Sequence, residues 1–179
     1  MDLYVSGCAL YTEQRLDNYM KKIFTALLFA SICFQAHTQT LTPLNIWMKE
    51  RPNWQNDKSE LAYFTLRCNV FLKFVGAYFI ARSDKQAGID RGKQIESDSD
   101  VFVLPALAFG DATGYKTNDV LERGAKIQKE YVTQISKNKD LTNSIFEGYV
   151  GDDFKICTDA VADFRFLSEE IKKSASKPK

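Results

Sequence analysis

The chain has 179 residues, with 24 basic and 23 acidic side chains, four cysteines and a single histidine. A net charge of +1 excludes a global electrostatic pull toward nucleic acid or an anionic membrane, and the length suits one domain with a single core. One histidine leaves little room for Ser-His-Asp, Cys-His or histidine-metal chemistry.

Residues 1–19 (MDLYVSGCALYTEQRLDNY) carry no apolar period and no helix cap, and they read as an extension ahead of the true start. From Met20 the order is that of a secretory signal: Lys21 and Lys22, an uncharged apolar run from Ile23 to Phe34, then Ala36, His37 and Thr38 at the cleavage point. That run is too short for a membrane span, which takes about 20 apolar residues in a helix. Residues 20–38 are therefore expected to be a signal peptide cut after Thr38. A lipoprotein signal at Cys33 is the neighbouring alternative, opposed by the bulk of Ile32. The expected mature chain begins at Gln39 and forms one helical domain over residues 39–173, with a disordered tail at 174–179. It loses His37, Cys8 and Cys33 with the removed segment, so it contains no histidine and two cysteines, Cys68 and Cys157.

Thr42 followed by Pro43 predicts an N-cap with proline in the first helical position, and Leu44, Trp47 and Met48 continue a short helix that stops before Arg51 and Pro52. Trp54 follows in a polar loop, where Asp57 or Ser59 can cap the next helix. That next helix, residues 58–82, is the expected centre of the fold. Leu61, Phe64, Cys68, Phe71, Leu72, Val75, Tyr78 and Phe79 follow helical spacing on its apolar side. A thinner stripe of Ser59, Ala62, Leu66, Asn69, Lys73, Gly76 and Ala77 marks where water or another backbone comes close. A membrane span is the rival reading, and Arg67 and Lys73 oppose it, since such a charge at mid-span costs roughly 2.5 to 3.5 kcal/mol.

Residues 83–100 (SDKQAGIDRGKQIESDSD) predict a mobile polar connection, part of which can extend a helix. Val101 to Phe109 fits either a strand or a helix kinked at Pro105; no partner strand is evident, so the helix is expected. A third long helix is predicted from Asn118 or Asp119, with Val120, Gly124, Ile127, Tyr131 and Ile135 along one face and Asn138 at its end. One helical turn is expected between Leu141 and Phe146. A last helix starts at Asp152 or Asp153 as cap and turns Phe154, Cys157, Val161, Phe164, Leu167 and Ile171 inward. Cys68 and Cys157 thus each face the core from their own helix, and a structural disulfide between them is predicted for a protein bound for an oxidising compartment. The expected fold class is all-α: a bundle of four to five helices around residues 58–82, stapled by that bond.

No zinc spacing, phosphate-binding glycine loop, nucleophile elbow or internal repeat is visible, and no cofactor or metal is expected. Asp152, Asp159, Asp163 and Glu170 recur on one side of the last helix; a solvated face accounts for them better than a calcium site, which needs loop oxygens. The polar loop acids Asp98 and Asp100 lack the spacing of an EF-hand. Arg67 is expected to pair with a carboxylate of another helix, and the same group lining a cleft with Tyr63 is the functional alternative. Tyr63, Arg67, Asn69, Lys73, Trp47 and Trp54 make up the candidate binding surface.

These features lead to an expected secreted or periplasmic protein, with no stable membrane span after cleavage, that binds another secreted or periplasmic protein as an inhibitor or immunity protein does. Two alternatives stand beside it: a glycan hydrolase working with carboxylates alone, and a carrier of small apolar ligands. A flat or protruding patch favours the first reading, a carboxylate-lined cleft the second and an empty apolar cavity the third.

Overall fold

The computed structural model describes residues 41–176. The expected extension at 1–19, the signal peptide at 20–38 and the tail end at 177–179 lie outside the described residues. Helix α1 is Leu44–Glu50, followed by a 3-10 turn at Trp54–Asn56; α2 is Lys58–Arg82, α3 Gln86–Asp100 and α4 Val103–Ala112. Helix α5 is Thr117–Thr142, α6 Tyr149–Asp159 and α7 Val161–Ala175. No strand occurs among the described residues, and the all-α bundle around α2 is the observed fold.

Helix α2 starts where Asp57 caps it, its Oδ1 accepting from the Ser59 and Glu60 amides at 2.7 and 3.2 Å. By length and apolarity α2 matches a membrane span, and half of its most apolar window is buried within the fold. Phe64, Cys68, Phe71, Leu72 and Val75 meet neighbours on several sides. A helix enclosed in this way has no single apolar stripe.

The thin stripe of small and polar residues on α2 is met by another backbone. Residues 83–100, expected to be a mobile connection, instead form α3 over most of their length and lie against α2 through Gly76 and Gly92. A Cβ on Gly92 would fall 2.8 Å from the Gly76 carbonyl oxygen and 2.9 Å from the Ile80 nitrogen. Asn69 Nδ2 reinforces the crossing by donating to the Ser99 carbonyl at 2.9 Å. The buried face of α3 consists of Gly92, Ile95 and Ser99, a helical spacing that polar composition masks.

In α4 the helix chosen over the strand is present, without a kink at Pro105. Pro105 is the third helical residue, where its missing N–H would have no partner within the helix. Helix α5 runs past Asn138 to a left-handed Asn143 at φ 58°. Asn138 is buried instead of terminal, and its Nδ2 donates to the Ile145 and Glu147 carbonyls, fixing the loop that follows. That loop replaces the turn of helix expected at Leu141 to Phe146.

The predicted last helix is two helices, divided at Ala160. Just before the division the Thr158 hydroxyl donates back to the Phe154 and Lys155 carbonyls at 2.9 and 3.0 Å. Helix α7 continues to Ala175, two residues into the segment expected to be disordered. Cys68 on α2 and Cys157 on α6 are joined by the predicted disulfide, with Cα atoms 5.3 Å apart. A bond of this kind persists in oxidising compartments.

Candidate functional site

The polar groups that the sequence places on the most buried helix converge on one partner. Arg67 and Asp153 both have 0% side-chain exposure, and Arg67 Nη2 donates to Asp153 Oδ2 at 2.5 Å. Tyr131 of α5 donates to the same oxygen at 2.5 Å and accepts from Arg67 Nε at 2.7 Å. Arg67 Nη1 donates to the Tyr63 hydroxyl and to the Thr42 carbonyl, while Asp153 Oδ1 accepts from the Leu44 amide at 2.7 Å. Thr42 therefore does not cap α1: helix α1 starts at Leu44, one residue later than predicted, and its first amide is satisfied from α6.

Burial opposes the charge on Arg67, but Tyr131, Asp153 and Tyr63 outweigh it and hold the guanidinium above its usual range. Burial raises Asp153, offset in part by Arg67, Tyr131 and the Leu44 amide. Removing the Asp153 charge would leave an always-protonated guanidinium buried alone, so the ionised pair is the state that fits neutral pH. Burial also raises the Tyr131 hydroxyl, and pushes half-buried Tyr149 up to about 12.

This arrangement is a sealed clamp holding the entry to α1 against α2, α5 and α6. It bears on the candidate binding surface read from the sequence. Arg67 is sealed, and Trp47 and Trp54 are 4% and 9% exposed, so none of the three offers its polar or aromatic face broadly to solvent. Trp47 packs against Tyr63 with ring centroids 5.2 Å apart. Asn69 is spent on the α3 backbone, and Lys73 pairs with Asp100 at 3.2 Å on the open surface. With no part of its side chain exposed, Arg67 opens on no cleft with Tyr63, whereas its pairing with a carboxylate of another helix is present. Asp153, expected as a cap, is that carboxylate. Its position four residues before Cys157 was the available signal, since residues so spaced share a helix face.

An open cleft lies elsewhere, beside the division between α6 and α7. Its volume is about 450 Å³, within the roughly 300–1,000 Å³ of ligand sites. Trp54, Phe64 and Phe164 are its most deeply buried lining residues, joined by half-buried Met48, Leu61 and Ile156. Phe64 stands 4.6 Å from Trp54 and 5.7 Å from Phe164 between ring centroids, so the floor is one aromatic cluster. Asp159 and Asp163, one on each side of the helix division, are exposed at the rim.

Of the residues expected to bind, Trp54 alone lines this cleft. The two rim aspartates were legible only as parts of a helix face; Ile156 falls outside the inward period of the last helix and carried no signal. A straight helix would place Asp159 and Asp163 on a solvated stripe with Asp152 and Glu170. Chemically the cleft offers apolar contact below and negative charge at the edge, while the carboxyl held above its usual range, Asp153, is sealed away from it. No protein-family model, curated protein or solved structure matches this chain.

Proposed function

We propose that this is a secreted or periplasmic binding protein without catalytic activity, acting on another macromolecule as inhibitors and immunity proteins do. The observation that carries the reading is the open cleft with an aromatic floor and aspartates at its rim. An apolar centre bounded by polar, solvent-accessible groups is the usual anatomy of a protein interface.

The alternatives fit this geometry less well. The cleft does carry two carboxylates, the mark set for a glycan hydrolase, but Asp159 and Asp163 are both exposed at its rim, and the carboxyl that burial raises, Asp153, has no access to a substrate. A carrier of small apolar ligands needs an enclosed cavity, whereas this cleft opens to the surface and carries charge. The disulfide supports an oxidising destination.

The test is to purify C-terminally tagged protein from its own host, read its intact mass without reduction, and cross-link it to whatever accompanies it. The expected mass begins at Gln39 and lacks the hydrogens lost in one disulfide. Cross-links are expected around Asp159 and Asp163, with recovery of the partner lost in the Asp159→Lys, Asp163→Lys double variant. A bait that retains Met1 with free thiols refutes secretion, and a partner captured equally by the double variant refutes the cleft as the binding site.

A further inference from the structure

We infer that the cleft receives an arginine or lysine side chain presented by the partner's polypeptide, an inference that rests on the binding reading above and gives its partner a chemistry. The argument is one of complementarity. A long basic side chain has an aliphatic stem and a charged head, and it lays the first on apolar surface while keeping the second among polar groups. The cleft has the same division, from half-buried Met48, Leu61 and Ile156 over the buried aromatic cluster to Asp159 and Asp163 above.

The two aspartates are available to such a head. Asp163 forms no ion pair or side-chain hydrogen bond among the described residues, and Asp159 pairs only with Lys155 four residues before it. Lys155 is 76% exposed, and a surface pair of that kind yields readily to a better-placed cation. A guanidinium can also bond a carboxylate in bidentate fashion, which an ammonium cannot.

The surface beyond the cleft points to a polypeptide as the source of the cation. Phe166, three residues after Asp163 on α7, is 67% exposed, and Glu170 follows seven residues after Asp163 on the same side. The alternation of acid and apolar group therefore continues along α7 past the mouth of the cleft. A chain carrying further apolar residues beside its basic one would cover Phe166, an area that a free small cation leaves in water.

The experiment uses full chain purified from its host after growth with 5-fluorotryptophan, which labels both tryptophans. Trp54 lines the cleft and Trp47 packs behind it with ring centroids 5.8 Å apart, so local binding is expected to move the Trp54 fluorine resonance more than the Trp47 one. The Trp54→Phe variant assigns them. The probes are the peptide acetyl-Gly-Leu-Arg-Leu-Gly-amide and its versions with lysine, citrulline or norleucine in place of arginine.

The expected result is a saturable shift of the Trp54 resonance with the arginine and lysine peptides. Affinity is expected to fall about tenfold with citrulline, which keeps the shape and loses the charge, and by a similar factor in Asp163→Asn. Equal binding of arginine and citrulline peptides overturns the inference, as does an unmoved Trp54 resonance at millimolar peptide. Free butylguanidine binding as tightly as the peptide overturns the polypeptide source. Failure here is distinct from failure of the binding reading: a host partner cross-linked at the cleft, with none of these peptides bound, leaves that reading standing and removes only the basic side chain.

Discussion

Arg67 and Asp153 meet at 2.5 Å with neither side chain exposed, and the residues that form the disulfide, Cys68 and Cys157, are their next neighbour and next-turn neighbour. One covalent and one ionic contact thus tie the same stretch of α2 to the same stretch of α6. Breaking a buried pair by deleting one partner leaves the other charge unpaired, at a cost of about 3–5 kcal/mol. Arg67→Met is expected to lower stability by that amount in urea denaturation. The double variant Arg67→Met, Asp153→Leu is expected to recover part of it, because no isolated charge then remains in the core. A loss in the double variant equal to the sum of both single losses would show that the two side chains are not coupled.

The disulfide closes a separation of 89 residues. Constraining the unfolded chain over that distance, together with the packing of two fully buried residues, gives an expected cost of about 2–5 kcal/mol for Cys68→Ala, Cys157→Ala. The measurement is the urea midpoint of oxidised and doubly substituted protein, with the slope compared as well. An unchanged midpoint would mean that the native state alone, without the cross-link, sets the stability.

At the crossing of α2 and α3 the atoms facing an added Cβ are mainly backbone. Gly92→Ala is expected to push the helices apart and cost about 1–3 kcal/mol, more than enough to cancel the helix propensity gained. Gly124→Ala supplies the contrast. Its Cβ would lie 3.3 Å from Leu66 Cδ1 and Val70 Cγ1, side-chain ends that can shift, so a much smaller change in thermal midpoint is expected.

Alkaline stability follows from the buried phenols. Tyrosines in the unfolded chain ionise near pH ~10, whereas burial keeps Tyr131 protonated well above that and Tyr149 up to about 12. Above the unfolded value the native state binds more protons than the unfolded one, so stability falls as pH rises through this window. Urea midpoints measured on either side of it are expected to drop with pH. Tyr149→Phe is expected to make that drop shallower, and an unchanged slope would remove Tyr149 from the account.

By itself the sequence determined the helical class, the central position of α2, the inward faces of Cys68 and Cys157, and the need of Arg67 for a carboxylate. All four follow from helical period and from the cost of burying an unpaired charge, which are properties of local stretches. The tertiary structure alone decided which carboxylate Arg67 takes. Asp153 is as good a helix cap as a core anion by local chemistry, and only the approach of α1 and α5 surrounds it with donors. The same holds for α3, whose glycines signal a loop until another helix presents a glycine to match them. It holds also for the cleft: Asp159 and Asp163 belong to a solvated stripe on a straight helix, and they border an aromatic floor because the chain turns at Ala160 above Trp54 and Phe64. Period and composition act over a few residues, whereas partnership between distant groups is set by how the helices cross.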